Sequence, residues 1–159
     1  VFTSDHGEFL GEHLKYGKGY PAPDCISRVP LIARVPGGPS GQRSQIVEHV
    51  DLVPTLLELV GLQRPGPLQG RPLPLANDAP GRSCALTEGE RWKALRTDRF
   101  RYIAEADGSE KLIDLADDAG EYHNRAGLPD YDWALADCRA LMLRKLIQIE
   151  RYRPRRWGY

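Results

Sequence analysis

Val1-Phe2-Thr3-Ser4-Asp5-His6-Gly7-Glu8, followed by Leu10-Gly11-Glu12-His13 and Gly17-Lys18, is the stretch from which the fold is read. Val1–Ser4 has the composition of a short buried strand, and the strand breaks into a loop at Asp5-His6. In open α/β sheets, ligand sites lie at the carboxyl ends of parallel strands. A carboxylate and an imidazole in succession can both reach a divalent metal there if the backbone turns sharply. Gly7 permits that turn without a Cβ clash. Lys18 sits in a loop rich in Gly and Tyr and offers a compact positive charge with three donors, suited to a tetrahedral oxyanion. Singly, each signal is weak: a lone His is more often structural than a ligand, and a lone Lys more often belongs to the surface.

Working outward, Val29–Val35 reads as a second apolar strand, and Pro36-Gly37-Gly38-Pro39-Ser40-Gly41 as a surface loop. Asp51-Leu52-Val53-Pro54 opens a helix, with Asp51 as N-cap and Pro54 still in the first turn. Val53, Leu56, Leu57 and Val60 recur at the spacing of one buried helical face, and Gly61 is the expected stop. Residues 63–82 are rich in Pro and Gly and read as a long irregular connection between two lobes, 1–62 and 83–159. Four strand-like runs follow, Cys84–Thr87, Trp92–Arg96, Arg99–Ala104 and Lys111–Leu115. The turns between them are tight, which implies an antiparallel meander and not βαβ units. A last helix, capped by Asp130 or Asp132 and running to about Arg151, carries an apolar stripe of Leu135, Cys138, Leu141, Met142, Leu146 and Ile149. Pro154 ends it.

Composition narrows the function classes. The 159 residues hold 22 Lys plus Arg against 22 Asp plus Glu, a formal net charge of 0. That balance gives no case for nucleic acid or an anionic membrane surface as partner. The basic run Arg151, Arg153, Arg155 and Arg156 is read as a solvated tail. No apolar run approaches the ~20 residues of a membrane span. Cys25, Cys84 and Cys138 are odd in number and lack metal-ligand spacing, which favours a reducing, cytoplasmic compartment and three buried small hydrophobes. The first residue is Val, so any targeting segment is expected upstream.

Together the motifs resemble a known family. Ser4-Asp5-His6-Gly7-Glu8, Leu10-Gly11-Glu12-His13, Gly17-Lys18-Gly19 and Arg28-Val29-Pro30-Leu31-Ile32 look like the C-terminal motif of the sulfatases, in the alkaline-phosphatase-like superfamily. Val50-Asp51-Leu52-Val53-Pro54-Thr55-Leu56-Leu57 is similar to the family's next helix, and Gln69-Gly70-Arg71-Pro72-Leu73 to its G-R-S-L segment. Leu95–Tyr102 and Leu112-Ile113-Asp114-Leu115, with Gly120-Glu121 and Asn124 beyond, resemble its C-terminal subdomain. The ordered match covers roughly residues 1–126.

The resemblance implies an α/β fold of which this chain is the C-terminal part. That part is the end of the large parallel or mixed sheet, plus a small four-stranded antiparallel sheet packed with a C-terminal helix. It implies that Asp5 and His6 are two of four protein ligands of a divalent metal. Ca²⁺ is the family's usual ion, and an imidazole shifts the balance toward Mn²⁺ or Zn²⁺. Lys18 would hold the sulfate or phosphate oxygens. His13 either lines the pocket or stays at the surface, and Arg28 makes a structural ion pair.

The family's nucleophile is a formylglycine made from Cys or Ser in C/S-x-P-x-R. No Cys or Ser of this chain stands in that motif, so the nucleophile and the remaining ligands are expected upstream. The chain alone is then expected to be inactive. Its orphan strands are expected either to be covered by the missing N-terminal part or a partner chain, or to be poorly ordered. The expected substrate is a small-molecule sulfate ester. The rival readings are a phosphonate or phosphodiester hydrolase of the same superfamily, and a non-catalytic assembly module built on residues 83–159.

Overall fold

A computed structural model describes residues 1–75 and 80–150. The basic run from Arg151 and the stop at Pro154 lie outside the described residues. The first part holds short elements: β1 (Phe2–Thr3), β2 (Phe9–Leu10), β3 (Tyr16–Gly17), α1 (Asp24–Ser27), β4 (Leu31–Ile32) and α2 (Leu52–Leu59). The second holds β5 (Ala85–Glu88), β6 (Trp92–Arg96), β7 (Phe100–Glu105), β8 (Glu110–Asp114) and the long α3 (Asp132–Glu150).

The meander forms as its spacing demands, with strands in the order β5-β6-β7-β8 and every ladder antiparallel. Alternation along the strands sorts side chains between two faces. Leu95, Phe100, Tyr102 and Leu112 point toward α3 and join Ala134, Leu135, Cys138 and Met142 in the main core. Burying side chains of this size contributes about 1.5–3 kcal/mol each, which makes this sheet–helix interface the dominant stabilising element. Cys84 and Cys138 fill this core as free thiols, and burial pushes Cys138 up to about 11.

The opposite face of the meander holds Arg96 and Arg101, directly paired across β6 and β7. Both reach Asp24, the first residue of α1. Arg96 donates from Nε at 3.2 Å and Nη2 at 3.1 Å, and Arg101 donates from Nη2. Arg101 is 1% exposed and also pairs with buried Glu121. The backbone N–H of Asp24 donates to Glu121 Oε1 at 2.5 Å, closing the cluster.

β1 and β4 pair with each other, antiparallel, through Phe2↔Ile32 and Thr3↔Leu31. Both are shorter than the runs expected at 1–4 and 29–35. Pro30 has no N–H to donate, and among the described residues no further strand stands beside either one to extend the ladder. Phe2 and Ile32 remain 63% and 64% exposed.

α2 departs from its expected facing. Val53, Leu56 and Val60 are exposed and Leu57 is half-buried, whereas Pro54 and Thr55 are buried. Among the described residues little covers the apolar stripe. Thr55 turns instead to the connection, accepting the backbone N–H of Leu73 at 2.8 Å. Gly61 ends the helix with φ 70°, while Leu62 N–H donates to Leu57 O and Gly61 N–H to Glu58 O. That is the double bond pattern of a Schellman stop.

Asp51 is not a side-chain cap of α2. It is 1% exposed and receives Arg82, the Arg71 backbone N–H (2.9 Å) and the Glu48 N–H (3.0 Å). Glu48 in turn receives Arg82 (3.0 Å), Lys145 of α3 (2.6 Å) and the Leu86 N–H (2.8 Å). α3 is entered through a 3₁₀ turn, Pro129–Tyr131, whose own N-cap is Leu128, with no side-chain cap bond. Pro129 pre-sets the entry backbone instead.

Burial opposes the Asp51 carboxylate, but Arg82 and two backbone N–H groups hold it below the ordinary 3.8. A carboxylate depressed on folding contributes stability that is complete above its unfolded pKa and is lost as pH falls through the folded one. Urea midpoints should therefore drop between about pH 5 and about pH 3, and Asp51→Asn should flatten that drop while lowering stability at neutral pH. An unchanged slope in the variant would rule Asp51 out as its source.

Candidate functional site

Asp5 and His6 leave β1 at its carboxyl end, as the sequence demands. One Asp5 oxygen, Oδ1, accepts the His6 backbone N–H at 3.0 Å. The His6 N–H and the nearby imidazole lower the Asp5 pKa. The other oxygen, Oδ2, lies 3.5 Å from His6 Nε2. The His6 ring is oriented by its far nitrogen, with Nδ1 2.7 Å from the Gly7 carbonyl. A carbonyl only accepts, so Nδ1 carries the proton and Nε2 presents a lone pair. Lys18 Nζ donates to that Nε2 at 3.0 Å. Ser4 Oγ donates to the His6 carbonyl at 2.8 Å and braces the turn. The three residues singled out in the sequence thus meet at one point.

Gly7 is needed for closeness more than for a turn. Its φ is not in the left-handed region, but a Cβ there would stand 1.9 Å from the Cys25 carbonyl oxygen. Gly7 N–H donates to Ile26 O at 2.7 Å. The loop is therefore clamped on α1, and α1 is held through Asp24 by Arg96 and Arg101. Gly17 does need its left-handed backbone, φ 84°, where β3 ends and Lys18 is presented.

His13 sits elsewhere in the loop. Its ring stacks on Tyr122 at 4.6 Å and meets Phe9 edge-on at 5.9 Å. Its described contacts do not include Asp5, His6 or Lys18. Arg28 lies 3.9 Å from Asp24, a loose ion pair at an exposed position. The Asp24, Arg96, Arg101 and Glu121 cluster and the bracing by Ser4 escape a sequence reading. The arginines sit on strands with ordinary alternation, and the motifs that hold Ser4, Arg96, Arg101 and Glu121 do not say which side chains meet.

An imidazole lone pair beside an uncommitted carboxylate oxygen is a sound pair of donors for a divalent cation, and the proton on Nδ1 fixes the ligating tautomer. Among the described residues no third His, Cys, Asp or Glu joins them. The pair fits such an ion as part of a ligand set.

Known proteins resemble this chain in sequence and in fold. The family model described as Sulfatase matches residues 1–62. The chain is 32% identical over 137 residues to the uncharacterized sulfatase YidJ of Escherichia coli, which covers 78% of this chain and 27% of that protein. Among solved structures, a protein in complex with its substrate D-glucosamine-2-N,6-O-disulfate superposes with a TM-score of 0.85 at 26% identity, over 98% of this chain and 35% of the other. The phosphonate monoester hydrolase of Agrobacterium radiobacter gives 0.82 at 29% identity, over 92% and 34%. The chain spans about a quarter of the length of the curated relatives it matches. Its four-stranded sheet with the helix behind it takes its place in a larger shared architecture, and the proteins it matches are sulfatases and a hydrolase of the alkaline-phosphatase-like superfamily.

Proposed function

We propose that this chain supplies half of the catalytic centre of a metal-dependent sulfuric ester hydrolase. The carrying observation is that His6 Nε2 has Asp5 Oδ2 3.5 Å away and receives the Lys18 ammonium at 3.0 Å. Asp5 and His6 hold a divalent ion, Ca²⁺ by family habit, with Mn²⁺ or Zn²⁺ suited by the imidazole. When bound, that ion neutralises ester oxygens and lowers the pKa of the attacking group. Lys18 then turns its ammonium from Nε2 to the sulfuryl oxygens and stabilises the charge that builds on them during transfer. Gly7 and Ser4 keep the imidazole aimed, with the proton on Nδ1.

The nucleophile and the other ligands come from chain beyond these residues. The same missing part covers the exposed faces of β1, β4 and α2, which supports dividing the chain into a catalytic segment (1–62), a connection (63–82) and a subdomain (83–159). The substrate is a small-molecule sulfate ester, as for the neighbour solved with a disulfated glucosamine. The phosphonate hydrolase neighbour keeps phosphate-type esters as the competing substrate class.

Paired aryl sulfate and aryl phosphate esters, assayed on the complete enzyme, decide between the two. Sulfate should be preferred, Lys18→Ala should lower kcat by about a hundredfold, and the isolated 159-residue chain should show no turnover. A preference for phosphate, or turnover by the isolated chain, would overturn the proposal.

A further inference from the structure

A second cationic site lies away from the Asp5 loop, where the end of the connection meets α3. There a cavity of about 390 Å³ is lined by Arg71, Arg82, Ser83, Arg144, Lys145 and Gln148, among others. Its four cations are of two kinds. Arg82 and Lys145 are pinned by Glu48 and Asp51, so their charges are already compensated and their positions fixed. Arg82 spends Nε and Nη2 on those carboxylates, and the Lys145 ammonium keeps two further donors beyond its bond to Glu48.

Arg71 and Arg144 are different. The only bond Arg71's guanidinium makes among the described residues is a 3.5 Å contact with the Pro80 carbonyl, and Arg144 has no carboxylate partner among them. The cavity therefore carries two surplus positive charges beside two rigid donors, with the Ser83 hydroxyl and the Gln148 amide at its wall. The negative end of the α3 dipole opposes an anion only over the last turn of the helix. Arg144 and Lys145 stand more than a turn before Glu150, so the side-chain charges prevail.

We infer that this cavity is an oxyanion-binding site that takes a sulfate or phosphate group other than the one held by Lys18. A guanidinium fork matches two oxygens of such a group, and a fixed ammonium matches a third. The site does no chemistry. It anchors a second anionic group, either one carried on a polysulfated saccharide or the free ion. The inference does not depend on the catalytic reading, because it concerns binding and draws on none of the residues of the Asp5 loop.

The test is calorimetric titration of the 159-residue chain with sodium sulfate at constant ionic strength. Saturable binding is expected. Arg144→Ala and Arg71→Ala, both at exposed positions, should each weaken it about tenfold or more, with the far-ultraviolet circular dichroism unchanged. Lys18→Ala should leave it intact. Absence of saturable binding would overturn the inference. So would binding that Lys18→Ala abolishes, or binding indifferent to both arginine variants. Competition by a polysulfated disaccharide tighter than inorganic sulfate assigns the group to a saccharide, and the reverse order assigns it to the free ion. Both orders uphold the oxyanion site.

Discussion

Arg101→Ala is expected to cost about 3–5 kcal/mol of unfolding free energy, the range for breaking a buried ion pair by removing one partner. The substitution strands Glu121, which is 8% exposed, and takes from Asp24 the most buried of its three guanidinium partners. Burial already pushes the Glu121 carboxyl above its usual range, with Arg101 as the main opposing influence. Without Arg101, Glu121 either sits uncompensated or takes up a proton. Urea unfolding monitored through the tryptophans measures the loss. Arg101→Met combined with Glu121→Gln should recover a large part of it, since both charges are then gone from the interior. A loss below about 1 kcal/mol for Arg101→Ala would mean that the cluster is solvated and only marginally stabilising.

Gly7→Ala should lose about 3 kcal/mol or more, at the upper end of overpacking costs. The added methyl would meet the Cys25 carbonyl at 1.9 Å, and the opposing atom is backbone, not the tip of a flexible side chain. Relief requires the loop to swing off α1 and to break the bond from Gly7 N–H to Ile26 O. Gly66→Ala is the control: nothing stands within 4 Å of its would-be Cβ and its φ is ordinary, so a change within about 0.5 kcal/mol is expected. Hydrogen exchange at the Gly7 amide would report the same event locally. Protection retained in Gly7→Ala would contradict the clamp.

The sequence was most legible where structure is local. The meander could be read from alternation and turn residues, because antiparallel hairpins are decided by neighbours a few positions apart. The α3 stripe was legible for the same reason. The meeting of Asp5, His6 and Lys18 was legible only as a motif, since no periodicity brings Lys18 to His6.

The reading of α2 failed instructively. The spacing of Val53, Leu56, Leu57 and Val60 correctly marks an apolar face, but spacing does not say whether the covering surface belongs to the same 159 residues. Asp51 misled in a related way. An Asp before a helix signals a cap, yet here Arg82, 31 positions away, claims the carboxylate. The Asp24–Arg101 contact spans 77 positions and leaves no local trace.

That long span changes how variants of this protein should be read. The position of Asp5 and His6 is inherited step by step from residues remote in sequence: β7 fixes Arg101, Arg101 fixes α1, and α1 fixes Gly7. A substitution in the C-terminal sheet that abolishes function would be taken for a defect of folding or assembly. Its proximate lesion would be a misaimed imidazole, and the genetic map of the proposed metal site extends as far as Glu121.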